Sequence, residues 1–225
     1  MLLTIVAATP FEITPLNQFL NTNFTKKSDT FFESNELKVR LLITGVGLTH
    51  TAFALGKYLA KAKPDLLLNA GVAGAFNKSL SIGDVVHVIS ERFADLGVEE
   101  ANGKFTDVHE MGLIPMDEAP FEAGFMTNRD AGNHRFLPTA HGITVHKVHG
   151  TANSIKAIES KYAADVETME GAAVFFACLK EKVPFLEIRS ISNYVEPRNK
   201  ENWNLPLAID NLNKVLIELL GELVE

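Results

Sequence analysis

Three places in this 225-residue chain put acidic or glycine-rich residues beside apolar runs at expected strand ends, where an open α/β sheet holds its ligands. Glu12 follows the run Leu2–Ala8 (LLTIVAA) by four residues. Asn69-Ala70-Gly71-Val72-Ala73-Gly74 follows the apolar Leu66–Leu68, and glycines there permit close approach of backbone to a ligand. Glu170, in Val166-Glu167-Thr168-Met169-Glu170-Gly171, stands at the mouth of a very apolar segment. A carboxylate in such a position can hold a hydroxyl or move a proton. Each place also has a plain structural account. Glu12 suits the first turn of a helix, the glycines suit a tight turn, and Glu170 suits a helix cap. The occurrence of all three at strand ends favours function.

The elements that must position them follow from pattern. Leu2–Ala8 reads as a strand covered on both faces and not as a signal sequence, since it lacks a basic leader and runs into Pro10. Glu12–Leu20 reads as a short amphipathic helix. Thr30–Phe32 and Leu37–Thr44 read as strands split by the turn-like Ser34-Asn35. Gly45-Val46-Gly47 leads into a helix over Thr51–Ala62, which Pro64-Asp65 stops before the strand Leu66–Leu68 and the turn Asn69–Gly74. A strand is expected at Asp84–Ser90. Arg92–Pro138 lacks periodicity and reads as a functional lid with short elements inside it. Order returns with a strand at Ile143–Val148, helices at Ser154–Tyr162 and Gly171–Lys180, a strand at Phe185–Ile191 and a helix after Asn204. This alternation implies one α/β domain over 1–225 with a largely parallel central sheet.

The net charge of −7 argues against binding to nucleic acid, which needs a basic face, and no apolar run reaches the ~20 residues of a membrane span. A soluble cytoplasmic protein acting on a small molecule is expected. The lone Cys178 lies in AAVFFACL and reads as a buried hydrophobe, not a nucleophile. Gly45-Val46-Gly47 lacks the third glycine of a dinucleotide fingerprint, and Gly56-Lys57 precedes Tyr58 where a P-loop has Ser or Thr, so no nucleotide cofactor is indicated. His141, His146 and His149 are the densest histidines. Placed in a strand, His146 and His149 fall on opposite faces, so no metal is expected.

IVAATPFEI (5–13), NAGVAGAF (69–76) and VETMEGAAVFFACLKEKVPFLEIRSISNYV (166–195), in this order, resemble the purine nucleoside phosphorylase and methylthioadenosine/S-adenosylhomocysteine nucleosidase superfamily over nearly the whole chain. The resemblance implies a three-layer αβα domain with a mixed, largely parallel sheet, no cofactor, and self-association as a dimer or larger ring. It implies that Glu170 binds the ribose hydroxyls with Met169 packed under the sugar, that Glu12 activates a water, and that Asn193 and Thr168 meet the purine. Gly71, Val72 and Gly74 would shape the water pocket. The family's nucleosidases have Asp where this chain has Asn193. A carboxylate there suits a 6-aminopurine, whereas an amide can accept from a protonated N7 while donating to O6, which favours a 6-oxopurine.

Phosphorylases need an anion site, and it is poorly encoded here. Val72 stands where related enzymes often carry Ser, Asn69 stands where hexameric phosphorylases carry a phosphate-binding Arg, and the first arginine is Arg40. Water is therefore the expected nucleophile. ADLGVEEANGKFTDVHEMGL (94–113) is similar to the corresponding block of the futalosine hydrolase family, which releases hypoxanthine from a nucleoside bearing a benzoate on its 5′ side. Arg92, Lys104, His109 and Arg129 are the candidates to meet that carboxylate.

Overall fold

The computed structural model describes residues 1–34, 37–129 and 137–223. In chain order the elements are β1 (Leu2–Ala7), a 3-10 turn (Pro10–Ile13) running into α1 (Thr14–Asn23), β2 (Thr25–Ser28), β3 (Phe31–Ser34), β4 (Leu37–Ile43), α2 (Leu48–Leu59), β5 (Leu66–Ala75), β6 (Val85–Glu91), β7 (Gly97–Glu99), β8 (Phe105–Asp107) and β9 (Met126–Thr127). There follow β10 (Thr139–Thr144), α3 (Ala152–Lys161), β11 (Val166–Thr168), α4 (Gly171–Glu181), β12 (Phe185–Tyr194), a 3-10 turn (Lys200–Asn202) and α5 (Leu205–Glu222).

The strands order as β11-β10-β6-β12-β5-β1-β4-β3-β2, with β4, β1, β5 and β12 parallel. The sheet is mixed, because β6 runs antiparallel to β12 and the β2–β3–β4 meander is antiparallel. Period-2 burial sorts β5 and β12 between two helical layers. Leu68, Ala70, Leu186 and Ile188 pack with α1 and α5 through Leu16, Leu20, Leu212 and Leu216, while Leu67 and Phe185 pack with α2 and α4 through Leu55, Leu59, Phe175 and Cys178. Burying each of these leucine, isoleucine and phenylalanine side chains stabilises the fold by roughly 1.5–3 kcal/mol.

β11 pairs with β10 on one side and antiparallel with the end of β5 on the other, so β5, β11, β10, β6 and β12 close into a ring. Its inside is small and apolar: Ala73, Ala75, Val86, Val88, Ala140, Val166 and Ile191.

Several sequence expectations shift. The expected turn at Asn69–Gly74 is strand, because β5 runs unbroken to Ala75 with β12 paired beside it. The strand expected at Ile143–Val148 is displaced to β10, so His146 and His149 lie beyond it and bind separate carboxylates, Asp95 and Glu167. α2 starts three residues earlier than expected, β12 runs three residues further, and β2 is an added edge strand. The irregular stretch carries short strands β7 to β9; residues 130–136 of it, and Asn35 of the expected turn, lie outside the described residues. No helix among the described residues is long and apolar enough to cross a membrane.

Candidate active site

The site is opened by a change of partners along β5. Its first half pairs with β1 up to Val6↔Asn69, and its end pairs with β11 from Glu167↔Gly74. In the gap between the two neighbours, the Val72 N–H meets Glu12 Oε1 at 3.4 Å. Such a divergence of strands is where open α/β sheets bind ligands. Glu12 is brought there by the 3-10 turn after β1. Its Oε2 accepts from the Thr9 N–H at 2.9 Å and the Thr9 hydroxyl at 3.1 Å, and Asn213 of α5 donates to its backbone carbonyl at 2.8 Å. Capping and site duties thus fall on different oxygens of one carboxylate.

Gly71 lacks a side chain for a reason: a Cβ there would stand 2.2 Å from Arg189 Nη1 and 2.9 Å from Glu12 Oε1. Opposite, Glu170 precedes α4 without capping it. Its Oε1 accepts from the Gly47 N–H at 2.9 Å, and its Oε2 lies 3.9 Å from Arg189 Nη1. Gly47 has φ +91°, a conformation that favours glycine, and this turns its N–H away from α2 toward Glu170. Burial pushes the Glu170 carboxyl above the usual carboxylate range, and the Arg189 guanidinium and the Gly47 N–H pull it back.

Beneath these groups lies a fully buried charged layer. Arg189 Nε donates to Glu187 Oε1 at 2.8 Å, and Asn69 Nδ2 donates to Glu187 Oε2 at 3.0 Å. Burial opposes the arginine's charge, but Glu187, Glu170 and Glu12 outweigh it and hold its pKa above the ordinary value. Glu91 accepts from the hydroxyls of Thr144 at 2.8 Å and Thr168 at 3.0 Å, and burial together with the nearby Glu187 pushes its carboxyl well up.

At the end of β12 a bulge between Ile191 and Asn193 brings Asn193 onto the side of Gly74. The Ser192 hydroxyl donates to Asn193 Oδ1 at 2.8 Å, and Asn193 Nδ2 donates to the Tyr194 carbonyl at 2.9 Å. The amide is therefore held with one lone pair and one N–H still available.

This set of groups, on this strand order, coincides with a match of the Phosphorylase superfamily model to residues 3–221. The chain belongs to the phosphorylase superfamily. Among its relatives in that superfamily, the futalosine hydrolase of Thermus thermophilus is 31% identical over 80% of this chain and 80% of its own. The 5′-methylthioadenosine/S-adenosylhomocysteine nucleosidase of Maridesulfovibrio salexigens is also 31% identical, over 84% of each chain. Two solved structures share the fold. The Colwellia psychrerythraea 5′-methylthioadenosine/S-adenosylhomocysteine nucleosidase in complex with adenine superposes with TM-score 0.78 at 22% identity, covering 98% of this chain and 95% of that one. The Helicobacter pylori futalosine hydrolase superposes with TM-score 0.78 at 20% identity, covering 99% and 98%.

Within this phosphorylase-superfamily fold, Glu12, Gly71, Val72 and Glu170 gather at the gap in β5, Asn193 and Gly74 lie just beyond it, and Met169 adjoins Glu170, half-buried. Thr168 turns its hydroxyl away from the place expected of it. The hydroxyl points inward to Glu91 and Thr144 and accepts from the Gly171 N–H, so it is not available to hydrogen-bond a purine.

Of the four basic candidates, three are committed elsewhere. Arg92 is buried, paired with Asp107 at 2.9 Å and stacked on Tyr162. His109 Nδ1 bonds the Ile114 carbonyl, with its ring against Phe121. Arg129 pairs with Glu122 beside Pro184 and Phe185, at the opposite end of β12 from Asn193. Lys104 is exposed in the β7–β8 turn and lines a cavity together with Lys147, His149, Ile158 and Lys161.

Sequence reasoning missed Arg198. It is exposed, its guanidinium stacks 5.0 Å over the Trp203 ring, its N–H bonds the Gly150 carbonyl, and the following Asn204 N–H bonds the Ser192 carbonyl. This places a cation and an aromatic face on the segment that leads directly out of Asn193.

Proposed function

We propose that this chain hydrolyses the N-glycosidic bond of futalosine, releasing hypoxanthine. The observation that carries the reading is Asn193, an amide fixed by Ser192 and Tyr194 where nucleosidases of the superfamily are expected to have Asp. Its free lone pair accepts from N7–H of the departing hypoxanthine and its free N–H donates to O6. As the C1′–N9 bond stretches, positive charge develops on the ribose, and contacts of Glu170 with the 2′- and 3′-hydroxyls tighten. Glu12 Oε1 takes a proton from a water as its oxygen bonds C1′. The leaving base takes up a proton from solvent at N7, so charge balances.

Phosphate is disfavoured as nucleophile. Arg40 stacks on Phe31, Asn69 is spent on Glu187, and Arg189 is enclosed by carboxylates. Arg198 on Trp203 joins Lys104 as a partner for the benzoate, ahead of Arg92, His109 and Arg129, whose side chains are engaged elsewhere. The chain is expected to act in the cytoplasm and to self-associate, with Phe53 (72% exposed) and Phe176 on α2 and α4 as the apolar surface for it. The second reading is a 5′-methylthioadenosine/S-adenosylhomocysteine nucleosidase, favoured by the equal identity of that relative.

The deciding assay follows base release from futalosine, inosine and methylthioadenosine with and without phosphate. Phosphate-independent hypoxanthine release from futalosine supports the reading; phosphate-dependent cleavage of inosine, or adenine release from methylthioadenosine, overturns it. Asn193→Asp is expected to shift kcat/KM toward the 6-amino analogue of futalosine by roughly tenfold or more, because the oxygen that replaces Nδ2 can accept from a 6-amino group where the amide N–H donated to O6, while Oδ1 still faces N7. An unchanged ratio removes the basis for assigning the base to Asn193.

A further inference from the structure

Gly74 is flanked on β12 by Asn193 and on β11 by Glu167. Residues directly opposite in register point to the same face, and a Cβ at Gly74 would stand 3.2 Å from Asn193 Nδ2, so Glu167 and Asn193 share one face with only a glycine between them. Val166 and Ala75, the next pair, point the other way, into the ring. Two strand spacings, roughly 9–10 Å between backbones, leave a flat-bottomed slot walled by Asn193 on one side and by Glu167 on the other.

Glu167 does not stand alone. Its Oε1 accepts from the His149 N–H at 3.1 Å and its Oε2 accepts from His149 Nδ1–H. Both side chains are largely buried, at 13% and 3% exposure. The Arg198 N–H bond to the Gly150 carbonyl ties the His149 loop to the segment leaving Asn193, and His149 also lines the cavity it shares with Lys104, Lys147 and Ser154. His149 Nε2 makes no hydrogen bond among the described residues.

We infer that the His149–Glu167 pair is a specificity-determining element that reads position N1 of the purine, with His149 Nε2 accepting the N1–H that a 6-oxopurine carries and a 6-aminopurine lacks. The inference rests on the proposed 6-oxopurine specificity and deepens it. With Nδ1–H committed to the carboxylate, a neutral imidazole presents a lone pair at Nε2. That lone pair pairs with N1–H of hypoxanthine and opposes the N1 lone pair of adenine. Asn193 and His149 would then address adjacent edges of one base, and a mismatched analogue would leave two buried polar groups unpaired.

The tautomer supplies the test. In Glu167→Gln a single oxygen must serve the His149 backbone N–H, which can only donate, leaving the amide NH₂ facing Nδ1. Nδ1 then becomes the acceptor, and Nε2 carries the proton and donates to a base. Affinities for free hypoxanthine and free adenine, measured by calorimetry, report this whether or not futalosine is turned over. The expected result is a fall in the hypoxanthine-to-adenine affinity ratio of roughly tenfold or more in Glu167→Gln, and a smaller fall in His149→Phe, which keeps a ring but no nitrogen. A ratio unchanged in both folded variants, with any loss common to the two bases, overturns the inference and leaves the pair as a brace for the 148–151 loop. A wild-type preference for adenine that His149→Phe weakens overturns it too, since Nε2 would then be donating. Failure of the proposed function reads separately, as absence of phosphate-independent release from futalosine in the unmodified protein.

Discussion

Glu12→Gln is expected to lower kcat for hypoxanthine release from futalosine by about 10²–10⁴-fold, the range over which a positioned general base contributes. The substitution is close to isosteric, and the amide oxygen can still accept from the Thr9 N–H, so the 3-10 turn keeps its cap. What is lost is proton acceptance beside the Val72 N–H. The affinity for free hypoxanthine should stay within about twofold, because Glu12 meets the water and not the base. That split separates a catalytic carboxylate from the acidic residue of a helix's first turn that the sequence alone also allowed. Steady-state kinetics beside a thermal melt checks it: a kcat within tenfold of the wild type, at unchanged Tm, would return Glu12 to a structural role.

Arg189→Met removes the one cation among the described residues of a layer holding Glu187, Glu170 and Glu12, and it should destabilise the protein by roughly 3–5 kcal/mol, as expected when a buried charge loses its partner. Urea unfolding measures it, and Arg189→Met combined with Glu187→Gln should recover part of the loss. The pH dependence has a definite sign. Burial already holds the folded-state pKa of Glu170 above its ordinary value. Such a group stabilises the fold most when protonated, and that contribution is lost as pH rises through the folded pKa. Removing Arg189, which pulls that pKa down, enlarges the effect, so the variant's deficit should be smaller near pH 5 than near pH 8. A deficit below about 1 kcal/mol, or one that grows on acidification, would mean that the carboxylates are not compensated by Arg189.

The sheet's parallel centre was legible because β1 is a continuous apolar run and β12 is apolar around its two charges, and α5 was marked by Asn204, whose side chain accepts from the Leu207 N–H. β5 was not legible past Leu68, since small residues with two glycines read as a turn. The structure supplies the missing reason: Arg189 fills the place where a side chain at Gly71 would go, and Asn193 and Val195 crowd Gly74. Arg189 itself left a signal in FLEIRS, two charges at i and i+2 on one face of an otherwise apolar strand, which is the spacing of a buried pair. The His149–Glu167 contact left none, because it joins residues 18 apart across a helix. Arg92 misled for the opposite reason. It sits in a polar, irregular stretch, yet its side chain turns inward to Asp107 and Tyr162.

The ring formed by β5, β11, β10, β6 and β12 has a consequence for time as well as shape. Each of its strands is hydrogen-bonded on both sides, so it offers no edge along which the floor of the site could part. Its amides should exchange with solvent only through large-scale opening, while those of the 145–151 and 195–204 segments exchange far sooner. On the proposed function, base and sugar are expected to leave past those two segments, and a step slower than bond cleavage is expected to be their opening on the microsecond-to-millisecond scale and not a motion of the sheet.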